Sequence, residues 1–273
     1  MTPTSEVLSV EISDHVATVW LDRPDKLNAM NKAFWDDLPP IMEALADDPE
    51  VRAVVIAGRG SAFSVGLDLL DFGPTVLAPQ GSSRAGSSAA LLADIKKMQR
   101  ATSSVAECPK PVIAAVHGWC IGGAIDLITA CDIRLASQDA VFSVRETKLA
   151  IVADMGTLQR LPRIVDPGWV AELAFTGRDV SADEAKEMRL VTHLYEDVDR
   201  LHKEASSLAQ QIAANSPIVV QGVKTVLRAN DGRTVDEGLD YVALWNAAHL
   251  HSADLNEAIA AHLEKRAPDF TGE

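Results

Sequence analysis

Apolar and polar positions alternate over residues 7–12 and again over Val16–Leu21, and the polar Ser13, Asp14 and His15 between them mark a turn, so the chain opens on a predicted β-hairpin. Asp22-Arg23-Pro24 ends the second strand. After Asn31, apolar residues at Phe34, Leu38, Ile41 and Leu45 recur at helical spacing, and a β-branched run over 51–57 follows. Strand and helix have begun to alternate, which favours crossover β-α units. Residues 74–90 are rich in Gly, Ser, Ala and Pro and are predicted to be a mobile loop, either a surface linker or the wall of a binding site. A helix is predicted over 91–107, Pro109 and Pro111 break it, and Val112–Val116 reads as a buried strand leading into His117-Gly118. A helix over about 122–131 and strands over 133–136 and 141–144 continue the pattern. Beyond Gly156 the spacing is almost wholly helical: 182–188, 201–215, 217–229, 235–250 and 254–265, with one short strand near 191–195. The chain thus divides into an α/β part over 1–198 and a helical region over 199–273.

With 273 residues, 47% of them hydrophobic, the chain can bury a large core. Lys and Arg number 25 against 39 Asp and Glu, a net charge of -14 that would repel a phosphate backbone, so nucleic acid is excluded as a partner. No apolar segment is long enough to span a bilayer. Cys108, Cys120 and Cys131 are odd in number and lack metal-ligand spacing, which predicts reduced structural thiols of a cytoplasmic protein. The first residues show no basic stretch followed by an apolar run, so a cytoplasmic protein is expected.

Three segments carry candidate chemistry: residues 62–69, 116–126 and 146–162. The first two place Gly66, Gly122 and Gly123 at strand-to-helix turns, where backbone can approach a ligand and free N–H groups can donate to an oxygen gaining charge. Asp126 lies amid Ala124, Ile125, Leu127 and Ile128, Glu146 follows the predicted strand ending at Val144, and Asp154 sits between Ala153 and Met155. Each acid alone also fits a helix cap or a satisfied buried carboxylate. Apolar surroundings would raise their pKa values toward the range useful for proton transfer, and clustering would raise at least one further.

The segments 63–69, 108–118 and 122–127, with Ala130-Cys131-Asp132-Ile133-Arg134, resemble the crotonase superfamily signature, and the likeness extends from the hairpin to the last helices. The resemblance implies a spiral of repeated ββα units with a C-terminal helical region that assembles trimers or hexamers. It implies an acyl-CoA thioester as substrate, its carbonyl held by the backbone N–H groups of Leu67 and Gly123. It also implies substrate contacts from Lys26, Asn28, Ala29, Ala62, Ser64, Gly66, Asp68, Gly122 and Lys224, although a lone Lys on an amphipathic helix more often lies on a solvated face. In the hydratase branch two glutamates occupy the positions of Asp126 and Glu146. Here the first is Asp and a third acid, Asp154, is added, and the run 153–162 is similar to that of Δ3,5-Δ2,4-dienoyl-CoA isomerases. Asp126, Glu146 and Asp154 are therefore the expected catalytic acids. An enoyl-CoA hydratase, a Δ3,Δ2-enoyl-CoA isomerase and a silent acyl-CoA-binding subunit are the competing readings. No metal or redox cofactor is implied, because neither ligand spacing nor a nucleotide fingerprint is present; coenzyme A enters only as part of the substrate.

Overall fold

The opening hairpin forms as the alternation requires, with β1 (Leu8–Ser13) antiparallel to β2 (Val16–Leu21) and Leu8 opposite Leu21. The computed structural model describes residues 3–77 and 83–273. Asn31 caps α1 (Lys32–Asp47) by accepting the Phe34 N–H, and the helix buries Phe34, Leu38, Ile41 and Leu45, the predicted stripe. β3 (Ala53–Gly58) follows, buried along its whole length. Then come α2 (Leu69–Leu77), α3 (Arg84–Glu107), β4 (Val112–Val116), β5 (Trp119–Ile121), α4 (Gly123–Ala130), β6 (Ile133–Ser137) and β7 (Val141–Ser143). α5 (Thr157–Arg160), α6 (Pro167–Thr176), β8 (Val180–Ser181), α7 (Ala182–Glu187) and β9 (His193–Tyr195) complete the α/β part. The chain ends on α8 (Val198–Ala213), α9 (Pro217–Ala229), α10 (Val235–His249) and α11 (Ala253–Glu264).

The expectation of one loop over 74–90 is corrected at both ends: α2 runs to Leu77, and α3 begins at Arg84; the part over 78–82 lies outside the described residues. Ser83 caps α3 by accepting the Gly86 N–H at 3.2 Å, and Ala85, Ala89 and Ala90 are strong helix formers on an otherwise polar surface turn. Composition alone suggested a linker there because small residues serve both structures.

Six strands form one sheet in the order β1-β2-β3-β4-β6-β9, parallel from β2 onward, and three more form a second sheet, β5-β7-β8. Consecutive strands β4 and β5, and again β6 and β7, lie in different sheets. The chain therefore runs along the first sheet, steps into the second, and returns through helix, and this repeated strand-strand-helix turn is the spiral. Strand periodicity fixes what each face meets. Val54 and Ile56 face the main core with α1 and α3, while Ala53, Val55 and Ala57 face the other way. Leu201, Ala205, Ala209 and Ala213 of α8, spaced every fourth residue, cover that second face. The later helices leave Val223, Leu227, Leu239, Leu244 and Leu263 exposed. Among the described residues no helix is long and apolar enough to cross a membrane.

Candidate active site

The chain leaving β3 folds against β5 through two bonds: the Ser64 N–H donates to the Trp119 carbonyl at 2.9 Å and the Ile121 N–H to the Ser64 carbonyl at 3.1 Å. Gly66 then adopts φ of +80°, and a Cβ there would lie 2.4 Å from the Ile121 carbonyl oxygen, so only glycine fits. Met30 bridges this turn by donating to the Gly66 carbonyl at 2.7 Å and accepting from the Asp68 N–H at 3.0 Å. In such a parallel bridge the flanking residues make both bonds, so the N–H of Leu67 points away from Met30. Gly122, at φ of +56°, donates to Ser143, and its carbonyl accepts from Ile125 and Asp126. Gly123 is thus the first residue of α4, where an N–H has no partner within the helix. The two turns touch: the same imagined Cβ on Gly66 lies 3.1 Å from the Gly123 nitrogen. Two donors of the kind that stabilise an oxyanion therefore sit side by side.

Two carboxyls, Asp126 and Glu146, stand beside these turns, and a third, Asp154, acts on both. Asp126, one turn into α4, is 1% exposed, and its Oδ1 accepts the Thr157 N–H at 2.6 Å. Burial, and then the charge of Glu146, push its pKa up to about 7. Glu146 begins a short 3-10 turn, Glu146–Leu149, directly after β7; its carboxyl stands opposite Gly122, where a Cβ would be 3.6 Å from Oε1. Burial raises its pKa, and Asp154 raises it further; its buried Oε2 has no hydrogen-bond partner among the described residues. Burial likewise raises Asp154. A cavity of about 310 Å³, bounded by Val144, Ile151, Val152, Leu158 and Phe175, has Glu146 in its wall, which explains why that carboxyl is desolvated.

Helix α3 holds the Asp154 loop from behind. Gln99 Nε2 donates to the Asp154 carbonyl at 2.7 Å and Thr102 Oγ1 to the Met155 carbonyl at 2.7 Å. Arg160 reaches the Met155 carbonyl and Ser103. The sequence reading missed these supports and Thr157; their only signal is polarity on a helix that otherwise packs against the core.

The expected substrate contacts divide. Gly66, Gly122, Leu67 and Gly123 form the paired turns. Lys26 is exposed at the end of the 3-10 turn Pro24–Lys26, and Ala29 is half-buried beside it. Asn28, Ser64 and Ala62 are buried and brace the first turn. Asn28 Nδ2 donates to the Arg59 and Ala62 carbonyls, and Ser64 Oγ donates to Asn28 and accepts from the Gly66 N–H. Their side chains shape the first turn. Asp68 pairs with Arg23 at 3.0 Å and accepts from the Leu70 and Asp71 N–H groups at the start of α2. Lys224 departs from the solvated-face reading. Its buried ammonium donates to Asp132 Oδ2 at 2.6 Å and to the Lys110 carbonyl at 2.9 Å. That places it at the start of β4, whereas the glycine turns lie beyond the strand's other end, on the order of 15 Å away at the usual rise per residue.

This spiral of strand-strand-helix turns, with paired N–H turns and buried acids, defines an acyl-CoA-type site, and the comparisons agree. The model of the family described as enoyl-CoA hydratase/isomerase matches residues 11–273, and the chain belongs to that family. It is 45% identical over 258 residues to a mitochondrial Δ3,5-Δ2,4-dienoyl-CoA isomerase of Dictyostelium discoideum, covering 94% of this chain and 88% of that one. It is 43% identical over 268 residues to the peroxisomal dienoyl-CoA isomerase of Arabidopsis thaliana, covering 98% and 96%. Among solved structures, a putative enoyl-CoA hydratase from Streptomyces coelicolor superposes with a TM-score of 0.91 at 33% identity, over 100% of this chain and 97% of that one. The cytoplasmic expectation is overturned, since these isomerase relatives are mitochondrial or peroxisomal proteins. It leaned on three reduced thiols, but all three are buried and burial alone keeps them protonated, with Cys131 pushed up to about 12. They therefore report their surroundings in the fold and not a compartment.

Proposed function

We propose that the protein isomerises 3,5-dienoyl-CoA to 2,4-dienoyl-CoA in fatty-acid oxidation. A carboxylate takes the proton from carbon 2, the electron pair spreads through the two double bonds onto the thioester oxygen, and a carboxyl returns a proton at carbon 6. Nothing is oxidised and coenzyme A stays attached throughout. The N–H groups of Leu67 and Gly123 hold the thioester oxygen as it gains charge, a contribution that typically amounts to several kcal/mol. Carbons 2 and 6 are too far apart for one short side chain to serve both, so Glu146 and Asp154 act as the two proton carriers while Asp126 orients and tunes them.

The observation that carries this reading is the coupling of three desolvated carboxyls, each with a raised pKa, two of which, Asp126 and Glu146, stand beside the paired glycine turns. A hydratase must instead hold a water between two acids. That step uses Asp126 and Glu146 and leaves no part for Asp154, the third desolvated acid. The exposed apolar residues of α9 to α11 are covered, on this reading, by further copies of the chain in a trimer or hexamer. The test is spectroscopic: formation of conjugated 2,4-dienoyl-CoA from the 3,5-isomer is compared with hydration of crotonyl-CoA on one preparation. Isomerisation should dominate, and dominant hydration would overturn the proposal.

A further inference from the structure

Thr157 is fully buried, opens α5 three residues after Asp154, and uses its backbone N–H on Asp126. Its hydroxyl is also buried and has no hydrogen-bond partner among the described residues. A buried hydroxyl left unmade is costly, and valine would fill the same volume without that cost. The position is thus poor as packing and needs another explanation. The groups facing Asp126 supply one. Glu146 on the 3-10 turn and Asp154 on the following loop both disfavour its ionisation, and Arg160 on α5 is the cation in its field. The Thr157 N–H, bonded to that carboxyl, favours the ionised form.

We infer that Thr157 is a positioning residue: its N–H fixes the Asp126 carboxyl, and its hydroxyl, free to turn onto that carboxyl when it ionises, sets how readily Asp126 carries charge between Glu146 and Asp154. The inference rests on the reading of Asp126 as a working member of the site. It makes Asp126 an adjustable charge, so that the proton affinity of the two carriers depends on a neutral neighbour outside the acid set.

The test is the pH dependence of kcat/KM for dienoyl isomerisation in the wild type, Thr157→Val, Thr157→Ser and Asp126→Asn, and in the Val and Asn changes combined. Removing a donor to a carboxylate raises its pKa, so in Thr157→Val the limb that reports Asp126 should move up by about one pH unit. Thr157→Ser should restore the wild-type limb, and the Val change should add nothing in the Asp126→Asn enzyme. Thr157→Ala provides the same deletion should valine fold poorly. If Thr157→Val and Thr157→Ala leave the limb in place while Asp126→Asn alters the profile, the inference is wrong and the acid site stands. An unchanged profile in Asp126→Asn removes Asp126 from the site, and this inference with it.

Discussion

Asp126 and Thr157, 31 residues apart in the chain, are joined by a 2.6 Å hydrogen bond from the Thr157 N–H to Asp126 Oδ1. The bond ties α4, which begins at the Gly123 N–H, to the loop that carries Asp154. The distance between the paired glycine turns and the third acid is therefore set by backbone on one side and a buried carboxyl on the other. A rigid link of this kind keeps proton carriers in place without relying on the substrate.

The same burial has a cost visible in stability. The Asp126 pKa is raised from 3.8 to about 7, so the folded state holds a proton that the unfolded chain releases, and stability falls as pH rises between those two values. Asp126→Asn keeps the acceptor for Thr157 but cannot ionise. Its melting temperature should exceed that of the wild type by several degrees at pH 8 and match it near pH 4. Equal differences at both values would show that the carboxyl is not desolvated as described.

Gly66→Ala should abolish the paired turns without touching any acid. The added methyl meets the Ile121 carbonyl and the Gly123 nitrogen, both backbone, at a φ that disfavours any side chain. Loss of one oxyanion donor typically lowers kcat by about 100-fold or more, and that is the drop expected here, with the far-ultraviolet dichroism of the folded protein retained.

Lys224→Met separates a structural role from a ligand contact. It leaves the partly buried Asp132 without its cation and should cost about 2 kcal/mol in urea unfolding, while KM for the acyl-CoA stays within about twofold. A large rise in KM at unchanged stability would restore Lys224 to coenzyme A binding.

Light scattering at micromolar concentration should give three or six times the 29.2 kDa chain mass. Leu244→Glu, which puts a charge on the exposed apolar face of α10, should lower that mass. A wild-type monomer would refute the assembly.

Much of the fold was legible because periodicity reports burial directly. The hairpin, α1 and β4 follow from their spacing, and α8 from its fourfold step of Leu201, Ala205, Ala209 and Ala213. β5 and β8, three and two residues long, are too short to show a period, and the glycines after Trp119 disguise the first as part of a turn. The glycine turns and three acids could be singled out, but their meeting could not, since it depends on α4 and α5 being stitched together by Thr157. The burial of Lys224 was hidden for a related reason. Its helix face is amphipathic in sequence, yet a single partly exposed carboxylate, Asp132, draws the ammonium inward.

Asp154→Asn, assayed on 3,5-dienoyl-CoA, tests the isomerase most directly, because Asp154 is the acid that a hydratase would not need. It keeps the side chain's size and removes its proton. Isomerisation should fall by about 100-fold or more, with Glu146→Gln equally damaging, Asp126→Asn milder, and all three variants folded. Near-full dienoyl isomerisation by Asp154→Asn, with hydration of a 2-enoyl-CoA abolished by both Glu146→Gln and Asp126→Asn, would contradict it and leave a hydratase in its place.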